Sequence, residues 1–240
     1  MFFYSESDSV SGDNQLDEWV LQLRQTWETG DTDHTASGEI VKRFTDGTSN
    51  WVAGHSSLSN SISFAGEKCL NISSSHRPYQ HQRLYANTTE LVSTSQSTAV
   101  SIRVLIRDIN SYGHVALMFR GRNDGNYDGG YVFGNFNGKL HATGVGDIQN
   151  MAPSYVWKWY RADLIPQFVN GVWVNDKLEY YIAEATANPN WTLVGEAYQS
   201  SIPWNHGTYK YHQIYFHDWS SSGAYKVFWI DNLEFYTKEV

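Results

Sequence analysis

The chain has 240 residues, 41% of them hydrophobic, which is enough for one large β domain with its own core. Its formal charge of −8, from 25 acidic against 17 basic residues, argues against a nucleic-acid partner, and no apolar run is long enough to cross a bilayer. The single cysteine, Cys69, rules out an intrachain disulfide and reads as a buried thiol.

Residues 1–38 form a polar, acidic extension, followed by a β domain over 39–240. The first residues lack the basic and apolar regions of a secretory signal, so synthesis in the cytoplasm is expected. Leu16, Trp19, Val20, Leu23 and Trp27 recur at helical spacing and predict an amphipathic α-helix over about 14–28. A lone helix of that length needs a surface to dock on. Its apolar stripe serves either its own sandwich or a neighbouring subunit. Residues 31–38 read as a linker.

From residue 39 onward strands follow at short spacing. Val100, Ile102, Val104 and Ile106 alternate with Arg103 and Arg107. Val115, Leu117 and Phe119 alternate with Arg120 and Arg122. Asn137-Gly138 and Asn170-Gly171 each mark a tight hairpin. Trp157 to Ile165 reads as a strand with Tyr160, Ala162 and Leu164 on one face, ended by Pro166. Asn188-Pro-Asn-Trp191 is a turn before another strand. Tyr211 to His217 and Lys226 to Tyr236 complete the set.

Several of these segments carry a resemblance. They are Phe44-Thr-Asp-Gly with Trp51, Gly66-Glu-Lys-Cys-Leu-Asn-Ile72, Leu117-Met-Phe-Arg-Gly-Arg122, Trp159-Tyr-Arg161, Pro189-Asn-Trp-Thr-Leu193 and Ile230-Asp-Asn-Leu233. In this order the chain resembles the concanavalin A-like lectin/glucanase superfamily over roughly residues 40–240. The resemblance implies an all-β jelly-roll sandwich of two antiparallel sheets, here with the short helical extension before it. It also implies first and last strands side by side, often around a structural Ca2+. Asp46, the Gly47 carbonyl and Asp231 match that position and offer the hard oxygens calcium takes. The alternative is that Asp231 accepts backbone amides and Asp46 is a turn residue.

Family members bind glycans across the concave sheet. Alternation takes Arg103, Arg120, Arg122, Trp159, Arg161, Gln213, Tyr215 and His217 off the apolar faces of their strands. On one common face they would form a groove suited to a sugar, its guanidinium groups favouring a uronate or sialic carboxylate. The alternative is a solvated face of internal pairs. Hydrolases of this fold carry Glu-x-Asp-x-x-Glu on one strand, which is missing here. Jelly-roll polysaccharide lyases have a Gln-Ile-His strand. Gln213-Ile-Tyr215 resembles it, with Tyr in place of His, while their Tyr-x-Lys-x-Gly-x-Tyr strand has no counterpart. If the chain is a lyase, Tyr215, His217, Arg120 and Gln213 are its expected catalytic residues.

The sequence therefore reads as a non-catalytic module that recognises a glycan or cell-surface polysaccharide. Its expected setting is a larger assembly such as a bacteriophage virion (tail, fibre or capsid surface), contacting other virion subunits or itself through the N-terminal helix. The alternatives are a lyase acting on a uronate-containing glycan and a purely structural decoration protein, whose concave face would be filled.

Overall fold

The computed structural model describes residues 19–25, 56–59, 63–66, 69–74, 80–85, 97–108, 113–122, 130–136, 138–151, 155–201, 209–218 and 226–240. Among them are fourteen strands in two antiparallel sheets. The strands are β1 (Val20–Gln25), β2 (Ser56–Ser59), β3 (Cys69–Ser74), β4 (Gln80–Tyr85), β5 (Thr98–Asp108), β6 (Gly113–Arg122) and β7 (Tyr131–Phe136). They continue as β8 (Lys139–Ala142), β9 (Gly146–Asn150), β10 (Trp157–Val169), β11 (Val172–Glu184), β12 (Thr192–Gln199), β13 (Tyr209–Asp218) and β14 (Lys226–Glu239). The larger sheet runs β12-β11-β10-β5-β14-β3-β2, with β1 also on β14; the smaller runs β4-β13-β6-β7-β8-β9. This is the two-sheet architecture expected of a jelly-roll sandwich.

Period-two patterning explains the layering. Ile102, Val104, Tyr160, Ala162, Leu178, Tyr180 and Phe235 line the inner face of the larger sheet. Val115, Leu117, Phe119, Phe133, Leu140 and Ile214 meet them from the smaller one. Phe133 stacks on Tyr180 at 5.1 Å between ring centroids and tilts against Tyr160 at 6.1 Å, so three rings tie the sheets together. Each such side chain contributes about 1.5–3 kcal/mol by leaving water. The Tyr180 hydroxyl donates to the Thr143 carbonyl at 2.9 Å, which removes the cost of burying it.

Both expected hairpins form. Asn170 and Gly171 each have positive φ, 53° and 75°, as a tight β10–β11 turn requires, and Gly138 has φ 78° between β7 and β8. Strand β10 does not end at Pro166, as the sequence predicts, but continues to Val169. Its pairing with β5 stops at Leu164, so Pro166 keeps only β11 as a neighbour, where its partner is Asp176. A missing N–H is tolerated on such an open edge.

The predicted N-terminal helix is corrected where the structure describes it. Val20–Gln25 is strand β1, paired with β14 from Val20↔Thr237 to Gln25↔Leu233. Six residues cannot hold an isolated helix in water, whereas the open edge of β14 offers backbone partners along their whole length. Leu23 is the register partner of Phe235, and the Trp19 ring lies 5.9 Å from the Arg161 guanidinium and 5.5 Å from the Lys238 ammonium. Trp19 thus sits on the chain's own larger sheet. Leu16, Trp27 and the proposed boundary at residues 38/39 lie outside the described residues.

Strand β14 is the axis of the larger sheet. One edge pairs with β5; the other pairs with β3 up to Ile230 and with β1 from Leu233. Asp231 and Asn232 fall at the seam. Asn232 takes φ 48° and the register shifts there, a bulge that returns both Ile230 and Leu233 to the core. Asp231 is fully buried, and its Oδ2 accepts the amides of Phe64 and Ala65 at 3.0 and 3.1 Å.

Candidate functional site

The residues expected in one groove fall on two sheets. Arg103, Trp159 and Arg161 belong to β5 and β10 of the larger sheet; Gln213, Tyr215 and His217 belong to β13 of the smaller, and Arg122 is the last residue of β6. The positions on β5 and β10 and those on β13 each fall on the face opposite the shared core, so these two groups lie on opposite outer sides of the sandwich, while Arg122 lies beyond the register shift at Arg120. Alternation along a strand assigns a face within its own sheet and says nothing about which strands are neighbours.

On the larger sheet the register builds a cross-strand row of Tyr181, Arg161, Arg103, Glu234 and Arg24. This row is internally satisfied. Arg161 makes a forked ion pair with Asp163, with Nε at 2.9 and 3.0 Å from the two carboxylate oxygens, and lies over the Tyr181 ring at 4.6 Å. Burial opposes the Arg161 charge, but the hydrogen bonds and charge of Asp163 outweigh it and hold the guanidinium pKa above its usual value. Arg103 stacks on the Tyr236 ring at 3.8 Å, and its pKa is lowered by burial and then by the Arg161 charge. Arg24 donates to Glu234 at 2.9 Å, and the Tyr236 hydroxyl donates to the other Glu234 oxygen at 2.8 Å.

Trp159 is not a free stacking platform. It is 6% exposed, donates from Nε1 to the Thr186 carbonyl at 3.1 Å, and meets Trp191 edge-on at 6.1 Å. With Leu105 and Ala183 it forms a second small apolar cluster. The expectation that Arg103, Trp159 and Arg161 present a ligand face is corrected to a lattice of internal pairs.

Arg120 is also corrected. Phe119 and Arg120 of β6 together oppose His212 of β13, because the register passes from Met118↔Gln213 to Gly121↔Tyr211. Arg120 takes φ 50° at this bulge and turns inward. Its side chain is 5% exposed and makes a bidentate ion pair across the sandwich with Asp176 of β11, one contact at 2.9 Å. Trp173 Nε1 donates to the same carboxylate at 3.0 Å. Burial pushes the Asp176 carboxyl up and the Arg120 guanidinium down, in both cases beyond what their attraction restores. His212 is fully enclosed beside them. Its ring lies edge-on to Phe119 at 5.6 Å, and burial, then the Arg120 charge, pushes its pKa down to about 3.

The smaller sheet gathers a different set. Ile214 is buried in the core and pairs with Leu84 and Leu117, so Gln213, Tyr215 and His217 occupy positions on the other face. Tyr215 is the partner of Arg83 on β4 and Ala116 on β6; the row continues through Gly134 and His141 to Asp147. Gln213 is the partner of Tyr85 and Met118. At the far end His141 Nδ1 lies 2.9 Å from Asp147 Oδ1, and Lys139 Nζ lies 2.7 Å from Oδ2. The hydrogen bonds of Lys139, then His141, hold the Asp147 carboxyl below its usual range. Arg83, Tyr85 and the His141–Asp147 pair were missed in the sequence. Arg83 and Tyr85 become cross-strand partners of Tyr215 and Gln213 only through strand order, and the His141–Asp147 pair stands at the other end of the row, beyond β6 and β7.

Of the expected calcium ligands, Asp46 and Gly47 lie outside the described residues. Asp231 already accepts two amides, and among described side chains no three of His, Cys, Asp or Glu cluster to hold a metal. A shallow cavity of about 410 Å³ opens beside Lys158, Glu184, Thr186, Asn188 and Asn190, and none of the predicted residues lines it.

No protein-family model matches the chain, and no curated protein sequence matches it. Solved structures do share its sandwich. A protein of unknown function from Shewanella oneidensis MR-1 superposes with a TM-score of 0.51 at 14% identity, over 78% of this chain and 76% of that one. Alginate lyase Aly36B gives 0.47 at 15% identity, over 89% and 95%. The endo-β-1,4-glucuronan lyase of the fungus Trichoderma reesei gives 0.47 at 11%, over 78% and 89%. What the Shewanella protein shares with this chain is the fold.

Proposed function

We propose that this chain is a carbohydrate-recognition module that takes an acidic polysaccharide across the outer face of its smaller sheet. The observation that carries the reading is the register that puts Arg83 opposite Tyr215 and Tyr85 opposite Gln213 on adjacent strands. A guanidinium, a carboxamide and two phenols in one patch are the groups that bind a uronate carboxylate and its neighbouring hydroxyls. Ala116 and Met118, their partners on β6, are buried. The larger sheet's outer face contributes nothing, because its arginines are already paired. A virion surface is the setting in which we place the module, on the strength of its sequence alone.

A lyase is the second reading, favoured by the same register. Arg83 and Gln213 would neutralise the uronate carboxylate, Tyr215 would supply a proton-transfer group, and His217 lies two residues further along β13. Arg120 has no part in it. The test is calorimetric titration of the full chain with oligoglucuronate and oligoalginate, with neutral gluco-oligosaccharides as controls, while unsaturated-uronate absorbance is followed. Binding of the acidic oligomers, weakened at least tenfold by R83A and Q213A and unchanged by K139A, supports the module. Turnover abolished by Y215F moves the reading to a lyase. Equal affinity for neutral oligomers, or indifference to R83A, refutes both.

A further inference from the structure

Three of the nine histidines meet in one cross-strand row. His217 on β13 is the register partner of His81 on β4 and of His114 on β6. Each lies three residues from a member of the paired set Leu84, Ile214 and Leu117, of which Ile214 and Leu117 are buried in the core. No register shift intervenes over these stretches, so all three histidines hold positions on the outer face of the smaller sheet. Direct partners across antiparallel strands have Cα atoms about 4.5–5.5 Å apart, which puts the outer two roughly 10 Å apart. That spacing is within the reach of three imidazoles to one ion, whose metal–nitrogen bonds are about 2.0–2.1 Å.

The chemistry of the row is selective. It continues through Phe136 and Lys139 to Asn150, so it contains no carboxylate to pair with an imidazolium. Three neutral imidazoles without hard oxygen ligands suit a borderline transition ion and not calcium or magnesium. We propose that His81, His114 and His217 bind one divalent transition-metal ion of the Zn2+ class, leaving its fourth position for water or an anionic oxygen. The adjacent row holds Arg83 and Tyr215, so a metal here lies at the edge of the proposed glycan patch. The metal site does not depend on that reading, because a metal titration contains no glycan.

The experiment uses the full chain without an affinity tag, stripped with EDTA and dialysed, then titrated calorimetrically with ZnCl2. The expected result is one ion per chain. H217N, which removes the central ligand, should abolish it; H81N and H114N should each weaken it at least tenfold; H141N, on β8 two strands beyond β6, should leave it unchanged. Far-UV circular dichroism checks that each variant folds, and H81N and H114N decide the matter if H217N does not. Cobalt in place of zinc should give the intense visible absorption of a four-coordinate site, lost in the same variants. No stoichiometric uptake by the folded wild type, or undiminished uptake by folded variants of the three histidines, overturns the proposal. So does a loss in H141N equal to theirs.

Discussion

Replacing Arg120 by Met should lower the stability of the sandwich by about 3–5 kcal/mol, the range for removing one partner of a buried ion pair. The structure gives the reason for the size. Asp176 is fully buried, and R120M strips it of both guanidinium hydrogen bonds, leaving Trp173 Nε1 as its donor among the contacts described above. The double variant R120M/D176L removes the charge as well. Burial already outweighs attraction for both partners, so the double variant should return to within about 1 kcal/mol of wild type. Urea unfolding at neutral pH measures both. The pH dependence adds a second check. Asp176 has a folded pKa raised above its unfolded value, so its contribution is fully favourable below the unfolded pKa and is lost as pH rises through the folded one. Without Arg120 the rise is larger, and the deficit of R120M should shrink as the solution is acidified. A deficit under about 1 kcal/mol, or a double variant as unstable as the single, would refute this account of the inter-sheet pair.

His212 titrates in the opposite sense. Its folded pKa of about 3 lies below the usual value of 6.5, so its contribution is complete above the unfolded pKa and drains away as pH falls toward the folded one. On the order of 5 kcal/mol is at stake from a shift of this size. H212F, which keeps the edge-on contact with Phe119, should flatten the stability profile between roughly pH 6.5 and 4, and the His212 ring resonances should not titrate above roughly pH 4. D231A removes the acceptor of two amides and should cost about 2–3 kcal/mol. By hydrogen exchange the Phe64 and Ala65 amides should then lose protection while Ile102 keeps its own; unchanged exchange at residues 64 and 65 would contradict the clip.

Local chemistry made the hairpins legible. Asn137-Gly138 and Asn170-Gly171 announced their turns because few other residue pairs accept those backbone angles. Alternation also found the core faces of β5, β6 and β10. It failed at Arg120 because a bulge reverses the phase of a strand, and a bulge has no fixed sequence mark when its left-handed residue is not glycine. The helical stripe around Trp19 failed for another reason. Val20-Leu-Gln-Leu-Arg24 fits either period, and an unpaired edge on β14, 210 residues away along the chain in the Arg24–Glu234 contact, decides between them. The candidate site was half legible. Gln213, Tyr215 and His217 were visible as one face, while Arg83, His81 and His114 join them only once strand order is known.

The central position of β14 also sets an order of events during synthesis. This strand comes last in the described sequence, yet β5, β3 and β1 all use it as a backbone partner. A ribosome adding about 5–20 residues per second takes on the order of ten seconds to go from β5 to β14. Through that interval β1 and β3 have no β14 edge to join, and β5 displays its bare one. The smaller sheet lacks β13 for nearly as long. The nascent chain therefore carries several open strand edges while it waits, and its long-range pairing is left to a late, concerted closure.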